Sequence, residues 1–134
     1  MPEHLIRLRG GWERQNLDAP ESSPTRITLP THLDSSVGRR VRLSRRFGRP
    51  PLEPRVETLW LRLEHVPGLV SLTINGSEVA VKPDGTGPRE IALEELPERN
   101  FLVLEVNLPE VEPPGRDVES LWGEIALLVR GGTQ

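Results

Sequence analysis

A histidine, an aspartate and two serines lie within five residues of one another in the segment Thr31-His-Leu-Asp-Ser-Ser36. Serine, histidine and aspartate are the residue types of a nucleophilic triad, in which histidine accepts the serine proton and aspartate orients the histidine. A working triad is assembled from separate chain segments, whereas neighbouring Asp and Ser side chains hydrogen-bond their own backbone in turns. We therefore interpret this segment as a turn and expect no catalytic residue in the chain.

Carboxylates and histidines also fail to form a pattern with a defined chemistry. Acidic side chains are concentrated at Glu94-Glu95 and in the proline-rich segment from Pro109 to Ser120, where solvated turns explain them. His4, His32 and His65 lack the spacing of metal ligands, and no calcium-loop pattern is present. Cysteine is absent, which excludes a thiolate nucleophile and a disulfide framework. We expect no metal and no cofactor.

Seven arginines between Arg39 and Arg55 form the strongest local concentration of charge. Such a run could contact phosphates, with aromatic side chains stacking on bases. The chain has no tyrosine, however, and its net charge is −3. We expect these arginines to pair with acidic strands, and no nucleic acid as a partner.

Five aromatic residues are present, and a carbohydrate site usually requires one on which the sugar can stack. Trp60 is the strongest candidate, because it alternates out of phase with Leu59, Leu61 and Leu63 and lies two residues from Arg62. Trp12 and Trp122 are interpreted as core residues. Trp60 either stacks on a ligand, covers an interface or lies beneath a loop.

These side chains must be positioned by strands, of which the hairpin around Asn75-Gly76 is the clearest. Alternating apolar residues flank this dipeptide, and both central residues of a type I′ turn need a positive φ, which Asn tolerates and Gly adopts freely. A two-residue loop places Leu72 opposite Val79 and Ile74 opposite Ser77. The hairpin is then expected to bury Val70, Leu72 and Ile74 on one face.

Composition supports one all-β domain spanning residues 1–134. Fourteen prolines and twelve glycines suit short strands joined by turns, and the turn signals predict eight or nine strands. The N-terminus lacks a signal peptide pattern, and no apolar run is long enough to span a bilayer. We therefore expect a cytoplasmic protein without a membrane partner.

Several short motifs, in order, resemble the non-catalytic N-terminal sugar-binding domain of glycoside hydrolase family 2. They are Leu8-Arg-Gly-Gly-Trp12, Arg45-Arg-Phe47, Leu59-Trp-Leu-Arg-Leu63, Ile74-Asn-Gly76, Ile91-Ala-Leu93, Asn100-Phe-Leu-Val-Leu-Glu-Val106 and Leu121-Trp-Gly-Glu-Ile-Ala-Leu127. The resemblance implies a galactose-binding-like jelly roll, an antiparallel β-sandwich with its first and last strands close together. The segment Ser120-Leu-Trp-Gly123 departs from the family, which usually has Gly-Ile-Tyr/Trp-Arg there.

The resulting prediction is a non-catalytic binding or accessory module with a carbohydrate ligand. Its site is expected at a concave end formed by the loops at Arg49 to Pro54, Lys82 to Pro88 and Pro109 to Glu119. The ligand-binding residues are predicted to be Trp60, Arg62, Arg49 and Asp84. The alternative is a structural or protein-interaction domain that uses the sheet face around Trp60 to form a homodimer or to bind a protein partner.

Overall fold

Alternation of buried and exposed residues runs through the longer strands of the computed structural model. The model describes residues 3–19, 21, 23–31, 39–53, 55–66, 68–80, 89–108 and 121–131. Every regular element in these ranges is a strand, and the strands are β1 (Glu3–Arg7), β2 (Trp12–Asn16), β3 (Thr25–Ile27), β4 (Arg40–Gly48), β5 (Glu57–Glu64), β6 (Leu69–Ile74), β7 (Ser77–Val79), β8 (Arg89–Leu93), β9 (Arg99–Asn107) and β10 (Glu124–Gly131). No helix in the described ranges is long and apolar enough to cross a membrane.

The strands form two antiparallel sheets that pack face to face. The order is β1-β10-β5-β8 in the four-stranded sheet and β3-β2-β4-β9-β6-β7 in the six-stranded sheet. The first strand pairs with the last along Glu3 to Arg7, as the predicted jelly roll requires. The predicted all-β sandwich is therefore confirmed.

The core consists of the alternate residues that each sheet turns toward the other. Leu59, Leu61 and Leu63 of β5 face inward from the four-stranded sheet, and Leu102 and Leu104 of β9 face inward from the six-stranded sheet. Trp12 and Trp122 are buried, as predicted. Trp12 additionally donates its indole N–H to the carbonyl oxygen of Leu8 over 2.7 Å, which ties β2 to the end of β1.

The Asn75-Gly76 hairpin forms with the predicted register. Asn75 and Gly76 have φ angles of 54° and 83°, and Leu72 lies opposite Val79 and Ile74 opposite Ser77. The prediction for Val70 is wrong, because this side chain is 64% exposed. A β-bulge between Leu69 and Ser71 shifts the pairing of β6 with β9 and turns Val70 outward while Leu69 is buried.

Candidate functional site

A shallow groove of about 440 Å³ crosses the outer face of the six-stranded sheet. This volume lies within the range of small-molecule sites. The groove is lined by side chains from five neighbouring strands or their flanks: Glu13, Gln15, Pro24, Arg42, Ser44, Thr73, Phe101, Val103 and Glu105. Most of them can donate or accept hydrogen bonds, and one is aromatic.

Strand register places these side chains in two parallel rows. One row contains Glu13, Ser44, Val103 and Thr73, because each is the antiparallel partner of the next. The second row contains Gln15, Arg42 and Glu105 for the same reason. The row members on β4, β6 and β9 alternate with core residues and point away from the core, and the register gives Glu13 and Gln15 of β2 the same direction. The groove is therefore built on paired strands rather than on loops.

Phe101 provides the exposed aromatic surface of the groove. Its side chain is 42% exposed, which is unusual for a phenylalanine in a central strand. The guanidinium carbon of Arg46, its partner on β4, lies 5.9 Å from the ring centroid. A cation on one side of the ring leaves room for a ligand at the other.

The hairpin turn fixes the backbone of Phe101. The N–H of Phe101 donates to the Asn75 Oδ1 atom and the N–H of Asn75 donates to the carbonyl oxygen of Phe101, each over 2.9 Å. Asn75 Nδ2 donates over 2.9 Å to Oδ1 of the buried Asn100, whose own Nδ2 donates to the carbonyl oxygen of Pro97. Both polar atoms of the Asn75 amide are hydrogen-bonded, so the backbone that carries the Phe101 ring is held in one position.

The charges in the groove differ in their pairing. Arg42 donates from Nε and Nη2 to the same carboxylate oxygen of Glu105, over 3.3 and 3.0 Å. Glu13 forms no ion pair with any residue in the described ranges. The unpaired charge of Glu13 in the groove is offset by that of Arg46 over the Phe101 ring, so the site has no net charge. Neutral ligands suit such a surface better than anionic ones.

Trp60 and Arg62, both predicted ligand-binding residues, lie on the outer face of the other sheet. The Trp60 ring is half-buried, its Nε1 donates to Thr58 Oγ1 over 3.0 Å, and the Arg130 guanidinium carbon lies 5.1 Å from its centroid. One side of the indole is thus occupied by a cation. Trp60 belongs to an apolar row of cross-strand partners on this face, which also contains Leu5, Leu128 and Ala92.

Arg62 belongs to a chain of ion pairs across the same face. Glu3 accepts from Arg130 over 2.6 Å, and Arg130 donates to Glu90 over 2.8 Å. Arg62 donates to Glu90 over 3.0 Å and to Glu64 over 3.3 Å. Hydrogen bonds from Arg130, and the charges of Arg130 and Arg62, lower the pKa of the Glu90 carboxyl. This network links β1, β10, β8 and β5 across the sheet.

Glu90→Gln is expected to reduce the free energy of unfolding by about 1 kcal/mol near neutral pH, because it removes the charge shared by two arginines. The lowered pKa in the folded state means that this stabilisation is complete above the ordinary glutamate pKa. It is lost as the pH falls through the folded-state value. Urea unfolding at pH 7 and pH 3 should therefore show a deficit that shrinks in acid. An equal deficit at both pH values would contradict the network, and Glu105→Gln serves as the control for a single exposed pair.

Arg49, a third predicted ligand-binding residue, lines a separate open cavity of about 660 Å³ at one end of the sandwich. Its Nη1 donates to the carbonyl oxygen of Leu96, so β4 is tied to the segment before β9. Glu57, Glu95 and Glu98 also border this cavity, and its described lining contains no aromatic residue. The fourth predicted residue, Asp84, and the loops at 82–88 and 109–119 lie outside the described residues.

The predicted residues are therefore not brought together at one place. Trp60 and Arg62 share one sheet face, and Arg49 lies at the end of the sandwich. Phe101 was overlooked, although the sequence held a signal for it. It is out of phase with Leu102, Leu104 and Val106, which form the buried side of β9. The same alternation that singled out Trp60 also points Phe101 outward.

A group of metal-ligand types occurs beside the ion-pair network. Single ligand atoms of Glu64, His65 and Glu124 lie within 4.8 Å of one another. Glu64 and Glu124 are direct cross-strand partners, and Glu64 also accepts the hydrogen bond from Arg62. The group has the donor types for a divalent cation, but an arginine already satisfies part of it.

Comparison with known proteins identifies the fold. No family model and no curated protein matches the sequence. The solved structures with similar folds include an FMN-binding β-glucuronidase from Faecalibacterium prausnitzii L2-6, with a TM-score of 0.73 at 17% identity over 95% of this chain and 22% of that one. They also include a β-glucuronidase from an uncultured Clostridium, with a TM-score of 0.71 at 17% identity over 98% of this chain and 29% of that one. A third is a putative β-galactosidase from Bacteroides fragilis, with a TM-score of 0.69 at 12% identity over 96% of this chain and 23% of that one.

The chain thus matches only a part, less than a third, of each of these three structures. The expected resemblance to glycoside hydrolase family 2 proteins is confirmed for the fold. At sequence identities below 20%, a shared fold does not establish a shared function.

Proposed function

We propose that this chain is a non-catalytic carbohydrate-binding module whose site is the groove on the six-stranded sheet. The observation that carries the proposal is the exposed ring of Phe101 beside two rows of polar side chains. An aromatic face covers the apolar C–H surface of a sugar ring, while amide, hydroxyl and charged groups bond its hydroxyls. Ser44 and Thr73 supply such groups in the row nearest Phe101, and Gln15 supplies one farther along the groove.

Binding rather than cleavage is favoured by the carboxylates of the groove. Hydrolysis of a glycosidic bond uses two carboxyl groups, one on each side of the scissile bond. Of the two that line the groove, Glu105 is committed to its ion pair with Arg42. The structures that share the fold are named as β-glucuronidases and a β-galactosidase, and this chain corresponds to a minor part of each. Both facts support an accessory role in handling glycosides.

Neutral oligosaccharides are the ligand class that the charges favour. Arg42 is already paired with Glu105, and the charges of Glu13 and Arg46, unpaired among the described residues, offset each other, so an anionic sugar would find no net attraction in the groove. An extended groove on a sheet also accommodates several sugar units of a chain. We therefore assign neutral oligosaccharides rather than single acidic sugars to this face.

Titration with neutral gluco-, xylo- and galacto-oligosaccharides, followed by backbone amide NMR, tests the proposal. We expect saturable shifts at Gln15, Ser44 and Thr73. Tryptophan fluorescence should stay unchanged, because Trp12 and Trp122 are buried and Trp60 lies on the other sheet. Sugar-dependent shifts centred on Trp60 would contradict the groove and move the carbohydrate site to the other sheet. A concentration-dependent dimer with no response to any sugar would support the alternative of a protein-interaction domain.

A further inference from the structure

The outer face of the four-stranded sheet contains a small hollow where the row of side chains is interrupted by an alanine. Ala126 of β10 is the cross-strand partner of Arg7 on one side and Arg62 on the other. Because alanine is short, the two arginines border a depression of about 90 Å³. Leu29 and Pro30 form its apolar wall. The hollow is about one fifth of the volume of the groove on the other sheet, which suits a small ion rather than a sugar ring.

Three arginines line this hollow, and the guanidinium groups of two of them have no partner in the described ranges. Arg62 is held by Glu64 and Glu90. Arg7 and Arg9 both line the hollow, and their guanidinium groups form no hydrogen bond or ion pair with a described residue. Each guanidinium presents five N–H donors in a planar fork that matches an oxyanion. Arg7 and Arg9 are exposed, so an anion can reach both from solvent, and the apolar wall bounds the hollow on one side.

We propose that Arg7 and Arg9 form, over the floor of Ala126, a binding site for a small oxyanion. The chemical class is a sulfate, a phosphate or a carboxylate, either free or carried on a larger molecule. Arg62 contributes positive potential while its ion pairs keep it in place. The site lies on the opposite sheet from the groove of Phe101, so it operates independently of the proposed carbohydrate site.

Two carboxylates also border the hollow, and they provide the sharpest test. Glu64 is paired with Arg62, whereas Glu124 forms no ion pair with a described residue. The lining is net positive by one charge. For an anion, Glu124 is a repulsive neighbour, so its removal must strengthen binding. For a cation held by Glu64, His65 and Glu124, the same removal must weaken binding.

Sodium sulfate is the first probe, titrated against sodium chloride at constant ionic strength while the arginine Nε–H signals are followed by NMR. We expect saturable shifts at Arg7 and Arg9. Arg7→Gln should weaken sulfate binding at least fivefold, and Glu124→Gln should tighten it about threefold. Arg26→Gln is the matched control, because Arg26 is exposed on the other sheet. Thermal unfolding of each variant verifies that it is folded.

Non-saturable shifts, or equal shifts at Arg26, would overturn the proposal. Weaker sulfate binding in Glu124→Gln, together with Mn²⁺-dependent shifts at His65, would also overturn it and identify a cation site.

A second experiment compares the binding of acetate with that of D-glucuronate. Tenfold tighter binding of glucuronate would show that the anion is carried on a sugar, and equal binding of the two would show that a free oxyanion is recognised. Phe101→Ala should leave all of these affinities unchanged.

Discussion

Phe101→Ala is expected to weaken oligosaccharide binding by the groove by at least tenfold. Burial of an aromatic side chain against an apolar surface contributes about 1.5–3 kcal/mol, and 1.4 kcal/mol corresponds to a factor of ten in affinity. The ring is 42% exposed in the free protein, so a ligand can cover a substantial part of it. Isothermal titration calorimetry with the tightest neutral oligosaccharide measures the effect.

Two variants make this experiment selective. Trp60→Ala removes a larger aromatic side chain from the opposite sheet and should leave oligosaccharide affinity within twofold of the wild type. Phe101→Leu retains apolar area but loses the flat ring, and it should fall between Phe101→Ala and the wild type. If Phe101→Ala binds as tightly as the wild type, the groove is not the carbohydrate site.

Gly68→Ala is expected to lower the free energy of unfolding by about 3 kcal/mol and the melting temperature by roughly 10 °C. Gly68 has a φ of 81°, and its carbonyl oxygen accepts a 2.7 Å hydrogen bond from the N–H of Asn107. A Cβ atom added there would collide with the carbonyl oxygen of Asn107, closer than real Cβ atoms approach. An alanine disfavours this positive φ, and the backbone shift that relieves the collision weakens the hydrogen bond from Asn107 to Gly68.

Gly76→Ala is the matched control for Gly68→Ala. It has a nearly identical φ of 83°, and a Cβ atom there would meet nothing within 4 Å. Its cost is confined to the left-handed conformation, about 1 kcal/mol. Equal melting temperatures for the two variants would show that the approach to Asn107 does not constrain the fold. A larger loss for Gly68→Ala than for Gly76→Ala attributes the difference to the close approach of Gly68 to Asn107 at the end of β9.

Local sequence patterns predicted the elements whose determinants are local. Asn75-Gly76 specifies its own turn, and alternation in β5 and β9 identifies their buried sides. Strand β2, Trp12–Asn16, was not predicted, because only its first residue is apolar. It exists through pairing with β4, a partner more than twenty residues away. The exposure of Val70 depends on a bulge that alternation alone does not encode.

The candidate site was harder to predict than the fold, because the order of strands creates it. The groove joins β2, β4, β9 and β6, which are neighbours in space but distant in sequence. Trp60 was correctly placed on an outward face, but Arg130, which lies near its ring, comes from a strand seventy residues later. The alternation of apolar and polar residues along one strand shows to which side of the sheet a side chain points. It does not show what lies beside it.

The pairing of the first strand with the last has a consequence for folding during synthesis. In the four-stranded sheet β10 lies between β1 and β5, so neither of these two strands has that neighbour until residues 124–131 leave the ribosome. Until then the leucines of β5 lack half of their sheet, and long-range antiparallel pairing is slow to form. The six-stranded sheet has all its strands by Asn107 and can assemble earlier. A nascent chain of this protein therefore exposes an incomplete apolar layer until β10 is synthesised.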